Sequence, residues 1–126
     1  MAYEGYATVS LYEELELPEY EQGEIERALK IASRHIDSLT FNRIVAAGFE
    51  NLTDFQKEII QEVVCRQAAF EMENADVISS ILSSYSINGV SMQFGDSWNI
   101  FTEAGVAMER DLYSMLQQTG LCVRIL

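Results

Sequence analysis

The side chains able to do chemistry in this chain are few and scattered. Histidine is the usual general base near neutral pH, and the chain has one, His35. No serine or cysteine stands at a spacing that forces it alongside His35, and no G-x-S-x-G elbow occurs. His35 is therefore read as a surface or interface residue. Glu13-Glu14 and Glu71 with Glu73 are the candidate carboxylate pairs for acid–base work. Residues one or two apart diverge on a helix, so both pairs read as solvated faces. Cys65 and Cys122 share no C-x-x-C spacing and read as reduced thiols packed as small apolar groups. Zinc needs three or four converging ligands, which one histidine and two distant cysteines do not offer. The seven glycines are scattered and build no phosphate-binding loop. The expectation is a chain with no enzymatic activity, cofactor or metal. Arg43 stands apart, following Asn42 at a helix exit in a chain poor in cations. It reads equally as a surface salt bridge with one of many carboxylates, worth little, or as an anchor in a subunit contact, where arginine is enriched.

Charge bounds the partners. Twenty acidic residues face eight basic ones, a net −12, and residues 1–30 carry eight acids against Arg27 and Lys30, which is half of that total. Tight nucleic-acid binding draws on Lys and Arg replacing counterions at phosphates. This chain has few, and its summed field repels phosphate. It is suited to stand beside DNA without holding it. At 126 residues and 48% apolar content it can bury one real core, and no stretch approaches the ~18 apolar residues of a membrane span. The opening "MAYEGYATVS" has neither a basic n-region nor an apolar h-region, so an intracellular protein is expected.

The elements that position these residues are mainly helical. The expected architecture is one domain over 1–126: a small bundle of about four helices, one short β-hairpin and a strand-like C-terminal tail. Residues 1–20 form an acidic, aromatic segment in which "SLYEELEL" reads as a short helix, capped by Ser10 with Glu13 at N3 and ended by Pro18. Ile25, Leu29, Ala32, Ile36 and Leu39 recur at helical steps and predict a helix over about 21–39. "TFNRIVAAGFENL" is a connector, with Asn42 able to stop a helix and Gly48 punctuating it. Thr53 is a good N-cap for a core helix running to about Asn74, with Phe55, Ile59, Ile60, Val63, Val64 and Phe70 as its stripe. "SYSINGVSMQF" alternates apolar and polar residues around Asn88-Gly89, the strongest short hairpin signal. A last helix is expected over about Thr102–Gln118, with Ala104, Met108, Leu112, Met115 and Leu116 inward and Gly120 at C′. The ending "LCVRIL" is apolar and β-prone, which at a chain end implies docking.

Two resemblances arise from these stretches. Asp37-Ser38-Leu39 is similar to the triplet that carries the phosphopantetheine arm of acyl carrier proteins, but in that family the serine opens a helix, whereas Ser38 closes one. The stretches "ASRHIDSLTFNRI" (32–44), "FENLTDFQKEIIQEVVCRQAAFE" (49–71), "SSYSINGVSMQF" (83–94) and "LQQTGLCVRIL" (116–126) together resemble the small head–tail connector, or head completion, proteins of tailed phages and Gram-positive prophages. That resemblance covers most of the chain after residue 20. It implies a structural protein of the virion head–tail interface, present in the host cytoplasm during assembly. It implies a ring of itself, usually twelve copies, under the portal protein, extending the DNA channel and carrying head-closure or tail proteins. No membrane is involved, and DNA passes without tight binding. A ring requires heterologous contacts that close, and exposed strand edges can pair across subunits. The interface candidates are Asn42 and Arg43, then Tyr85, Ile87, Val90, Met92 and Phe94 of the hairpin (84–95), and Leu121, Val123, Arg124 and Ile125 of the tail (121–126). The alternatives are the carrier-like module modified at Ser38 and an acidic adaptor or inhibitor of a basic protein.

Overall fold

The computed structural model describes residues 5–76, 78, 100–103 and 106–122. The elements run α1 (Val9–Glu14), α2 (Gln22–Leu39), α3 (Arg43–Ala47), a single 3₁₀ turn (Phe49–Asn51), α4 (Asp54–Glu73), β1 (Ile100–Glu103), β2 (Val106–Glu109) and α5 (Arg110–Gln117). The architecture is mainly α, a small helical bundle. α2 packs along α4, α4 packs on α5, and α1 lies on α2.

The expected stripe of α2 is the core: Ile25, Leu29, Ala32, Ile36 and Leu39 are all buried. From α4 come Ile60, Val63, Val64, Ala68 and Phe70. Each large aliphatic side chain withdrawn from water in this seam contributes about 1.5–3 kcal/mol. The start of α4 is fixed by a capping box. The Gln56 amide N–H donates to Thr53 Oγ1 (3.1 Å), and the Thr53 N–H donates to Gln56 Oε1 (3.0 Å). Phe55, expected in the α4 stripe, is instead 53% exposed. It sits in the first turn, five residues ahead of Ile60, the first residue of α4 in the core.

The acidic N-terminal segment is strapped to the bundle by its tyrosines. Tyr12 is 1% exposed, inside the core, and its hydroxyl donates to the Pro18 carbonyl at 2.6 Å. The Tyr6 hydroxyl donates to Asp37 Oδ1 (2.6 Å), and the Tyr6 ring stacks on Phe49 with centroids 5.1 Å apart. Ser10 is not the cap of α1. Thr8, in extended conformation, accepts from the Leu11 N–H at 3.3 Å, and Ser10 already lies in the first turn. The helix also stops at Glu14, ahead of Pro18, with Glu16 at φ 55°.

The expected last helix, Thr102–Gln118, begins eight residues late. Its first part is an antiparallel ladder that pairs Ile100 with Glu109, Phe101 with Met108, Thr102 with Ala107 and Glu103 with Val106. Alternation on β2 is satisfied in an unusual way. Val106 and Met108 enter the main core, while Ala107 faces the other way and is buried beside Phe70. Both faces of β2 are therefore covered, so the run reads as continuously apolar and imitates a helix. The hairpin expected at 84–95 lies outside the described residues.

Candidate functional site

Among the described residues, the turn leaving α2 carries two of the four exposed large hydrophobic side chains, Phe41 and Val45, the other two being Ile31 and Phe55. α2 ends in a Schellman motif: the Asn42 N–H donates to the Asp37 carbonyl (2.8 Å) and the Phe41 N–H to the Ser38 carbonyl (3.3 Å). The motif needs a left-handed residue at C′, a position glycine normally fills. Here Phe41 fills it, at φ 56°, and Asn42 follows at φ 58°. A bulky residue in that region is strained, by about 1–2 kcal/mol. The Phe41 ring is nonetheless 44% exposed, and Val45, four residues on, is 58% exposed. The Arg43 guanidinium lies over the Phe41 ring, 5.3 Å from its centroid. The result is a corner of two apolar side chains around one cation.

Arg43 also works within its own chain. Its Nη1 donates to the Leu121 carbonyl at 3.0 Å. Among the described residues it makes no salt bridge. Gln56 is its counterpart: beyond its part in the cap, Gln56 Nε2 donates to the Thr119 carbonyl at 2.9 Å. The Thr119 hydroxyl donates to the Leu116 carbonyl (2.7 Å) and accepts from the Leu121 N–H (3.2 Å), while Gly120 turns the chain at φ 77°. Two side chains from the α3–α4 region thus hold the backbone that leaves α5. The Cys122 thiol lies beside them. Burial pushes its pKa up to about 11, with Arg43 opposing.

At the other end of α2 lies an acidic cleft of about 510 Å³ between α1 and the start of α2. Its floor is Tyr12, Leu17, Tyr20 and Ile25, and its rim is Glu13, Glu16 and Glu19, all three exposed. Glu13 and Glu14 are solvated, as the sequence implies.

The second pair is split: Glu73 is exposed, as the sequence implies, and Glu71 is not. Glu71 is half-buried, and its Oε2 pairs with His35 Nδ1 and accepts from Gln67 Nε2 (2.7 Å). Gln67, fully buried, donates from the same nitrogen to the Ala107 carbonyl (2.8 Å), while its Oε1 has no partner among the described residues. This chain of contacts ties α2, α4 and β2 together. Its residues come from three separate stretches of sequence, so local spacing gives no sign of it. Ser38 is exposed in the last turn of α2.

Cys65 is buried and free, its pKa pushed up to about 12 by burial, with Glu62 adding and Arg66 opposing. Neither thiol is placed as a nucleophile, because burial disfavours the reactive thiolate. Among the described residues no group of three or more His, Cys, Asp or Glu could hold a metal ion, and no helix is long and apolar enough to cross a membrane. Of the sequence-predicted interface residues, the structure brings Asn42, Arg43 and Leu121 into one corner. Tyr85, Ile87, Val90, Met92, Phe94, Val123, Arg124 and Ile125 lie outside the described residues. Phe41 and Val45, which no helical period singles out, complete the corner. The signal that points to Phe41 is a phenylalanine directly before Asn42 where a helix must stop.

No protein-family model, curated protein or solved structure matches the chain.

Proposed function

We propose that this chain is a structural head–tail connector of a tailed phage or Gram-positive prophage, a non-enzymatic subunit that forms a ring under the portal. The ring extends the DNA channel and offers a platform to head-closure or tail proteins. The observation that carries this reading is the exposed, strained corner at Phe41–Val45. It falls within the 32–44 stretch of the connector resemblance and at the residue beside it, and it spends conformational energy on a surface feature that the chain's own core does not use. The acidic balance supports it from a second side. A net −12 lets packaged DNA pass an adjacent wall without adhering to it.

The test is electron microscopy of the full chain mixed with the portal protein of the same phage. Rings of this chain seated coaxially on the portal are expected, together with no shift of duplex DNA at ordinary salt. Failure to seat on the portal, or a mass gain at Ser38 after treatment with a phosphopantetheinyl transferase, would overturn the connector reading.

A further inference from the structure

The corner at the C-terminal end of α2 and the cleft at its N-terminal end are complementary. From Ser38 to Phe49 the chain has one charged residue, Arg43, within a molecule of net −12. Its guanidinium carries five N–H donors, and the fold engages the Nη1 group. Phe41 and Val45 flank it as exposed apolar groups. The cleft offers the converse, an aromatic and aliphatic floor under a rim of three carboxylates. α2 has eighteen residues, so corner and cleft stand about 27 Å apart on one molecule and cannot meet within it.

We infer that the Phe41–Val45 corner of one copy seats in the α1–α2 cleft of the next. Phe41 and Val45 cover Leu17 and Tyr20, while Arg43 faces Glu13, Glu16 and Glu19. Arginine over an aromatic ring and against carboxylates is the kind of anchor that interfaces concentrate. Because the two patches differ and lie at opposite ends of a helix, the contact is heterologous. Repeated, it generates a ring if the rotation closes and a filament if it does not. The strain at Phe41 follows: glycine would end α2 more comfortably but would leave the cleft empty. The inference deepens the connector reading and rests on it only for closure into a ring.

Two variants test it by complementation, followed by sedimentation velocity without portal. Phe41→Gly removes the knob while relieving the left-handed strain, so its melting temperature should be held or raised. Glu16→Lys with Glu19→Lys reverses the rim at two exposed positions. Each alone should self-associate at least roughly ten-fold more weakly than wild type. Mixed, they should form a one-to-one dimer, the intact corner of the rim variant entering the intact cleft of the Phe41→Gly chain. Undiminished self-association of either variant, a wild-type chain that stays monomeric at millimolar concentration, or a mixture without heterodimer overturns the proposal. A corner covered by the chain's own residues 123–126 would appear as a wild-type monomer whose truncation after Cys122 associates. Pairing between copies with no portal binding defeats only the connector reading, and portal binding without complementation defeats only this one.

Discussion

Raising the pH should unfold this protein through two named groups. Cys65 is fully buried and its pKa is pushed from 9.0 up to about 12, mainly by burial. Tyr12, equally buried, moves from 10.0 up to about 12, again chiefly by burial, with Tyr20, Glu73 and Cys65 adding. A folded-state pKa above the unfolded value means that the native state holds a proton the unfolded chain has released. Stability from this source is intact below the unfolded pKa and drains away as pH climbs toward the folded one. For Cys65 the window is pH 9 to about 12, at about 1.4 kcal/mol per unit, or about 4 kcal/mol in all. For Tyr12 it is pH 10 to about 12 and about 3 kcal/mol. By about pH 10.5 the thiol alone has cost about 2 kcal/mol, a large share of the ~5–15 kcal/mol a domain possesses. In urea, where unfolding free energy falls by about 1–3 kcal/mol per molar, the midpoint should drop by about 1 M between about pH 8 and pH 10.5. Cys65→Ala lowers stability at every pH because it removes packing, but it should flatten that decline. The difference between the two slopes isolates the thiol from lysine titration and general charge repulsion, which both proteins share. Parallel slopes for wild type and Cys65→Ala would refute the reasoning.

Four further outcomes follow from the contacts. Thr53→Ala removes the capping box of α4 and should lower stability by about 1 kcal/mol in chemical denaturation. Truncation after Gly120 removes the Leu121 carbonyl that Arg43 binds, whereas truncation after Cys122 keeps it; the first should lower the melting temperature further than the second, by the equivalent of about 1–3 kcal/mol. Iodoacetamide at about pH 8 should modify Cys122 before Cys65, and both slowly, since burial holds each thiol neutral; mass spectrometry with peptide mapping reads the order. Gln67→Ala strips donors from Glu71 and the Ala107 carbonyl and opens a void, and should cost about 2–4 kcal/mol.

The frame was legible in the sequence because local signals agreed with tertiary packing. The α2 stripe from Ile25 to Leu39 and the Thr53 cap of α4 each rest on residues three or four apart, which a helix brings together unaided. Where the sequence misled, a long-range contact had overridden a local pattern. Val106, Ala107 and Met108 are all buried because one face of β2 meets the main core and the other meets Phe70, so the period of two is lost and a helix seems to continue. Glu71 looked solvated beside Glu73 because His35, Gln67 and Ala107 reach it from elsewhere in the chain. Half of the candidate site was visible, since Asn42 and Arg43 stand out at a helix exit. The other half depends on φ at Phe41 and on exposure at Val45, which composition does not encode.

Charge decides how such copies meet. Each carries −12, so two subunits repel over any distance at which their fields are unscreened. At 0.01 M ionic strength the screening length is about 30 Å, as long as α2 itself, and every acid on one copy senses the next. At 0.15 M it falls to about 8 Å, and only groups at the contact still interact. Arg43 against the rim of Glu13, Glu16 and Glu19 is such a group, worth about 1–4 kcal/mol at 4 Å depending on how much water remains. General repulsion is therefore removed by salt sooner than the contact pair, and molar salt weakens the pair in turn while leaving the Phe41 and Val45 burial intact. Self-association should accordingly rise from low to physiological salt, pass through a maximum and then decline to an apolar floor. A steady fall from the lowest salt upward would mean that attraction between opposite charges outweighs the general repulsion even when neither is screened, and would refute this ordering. A steady rise into molar salt would remove Arg43 from the contact.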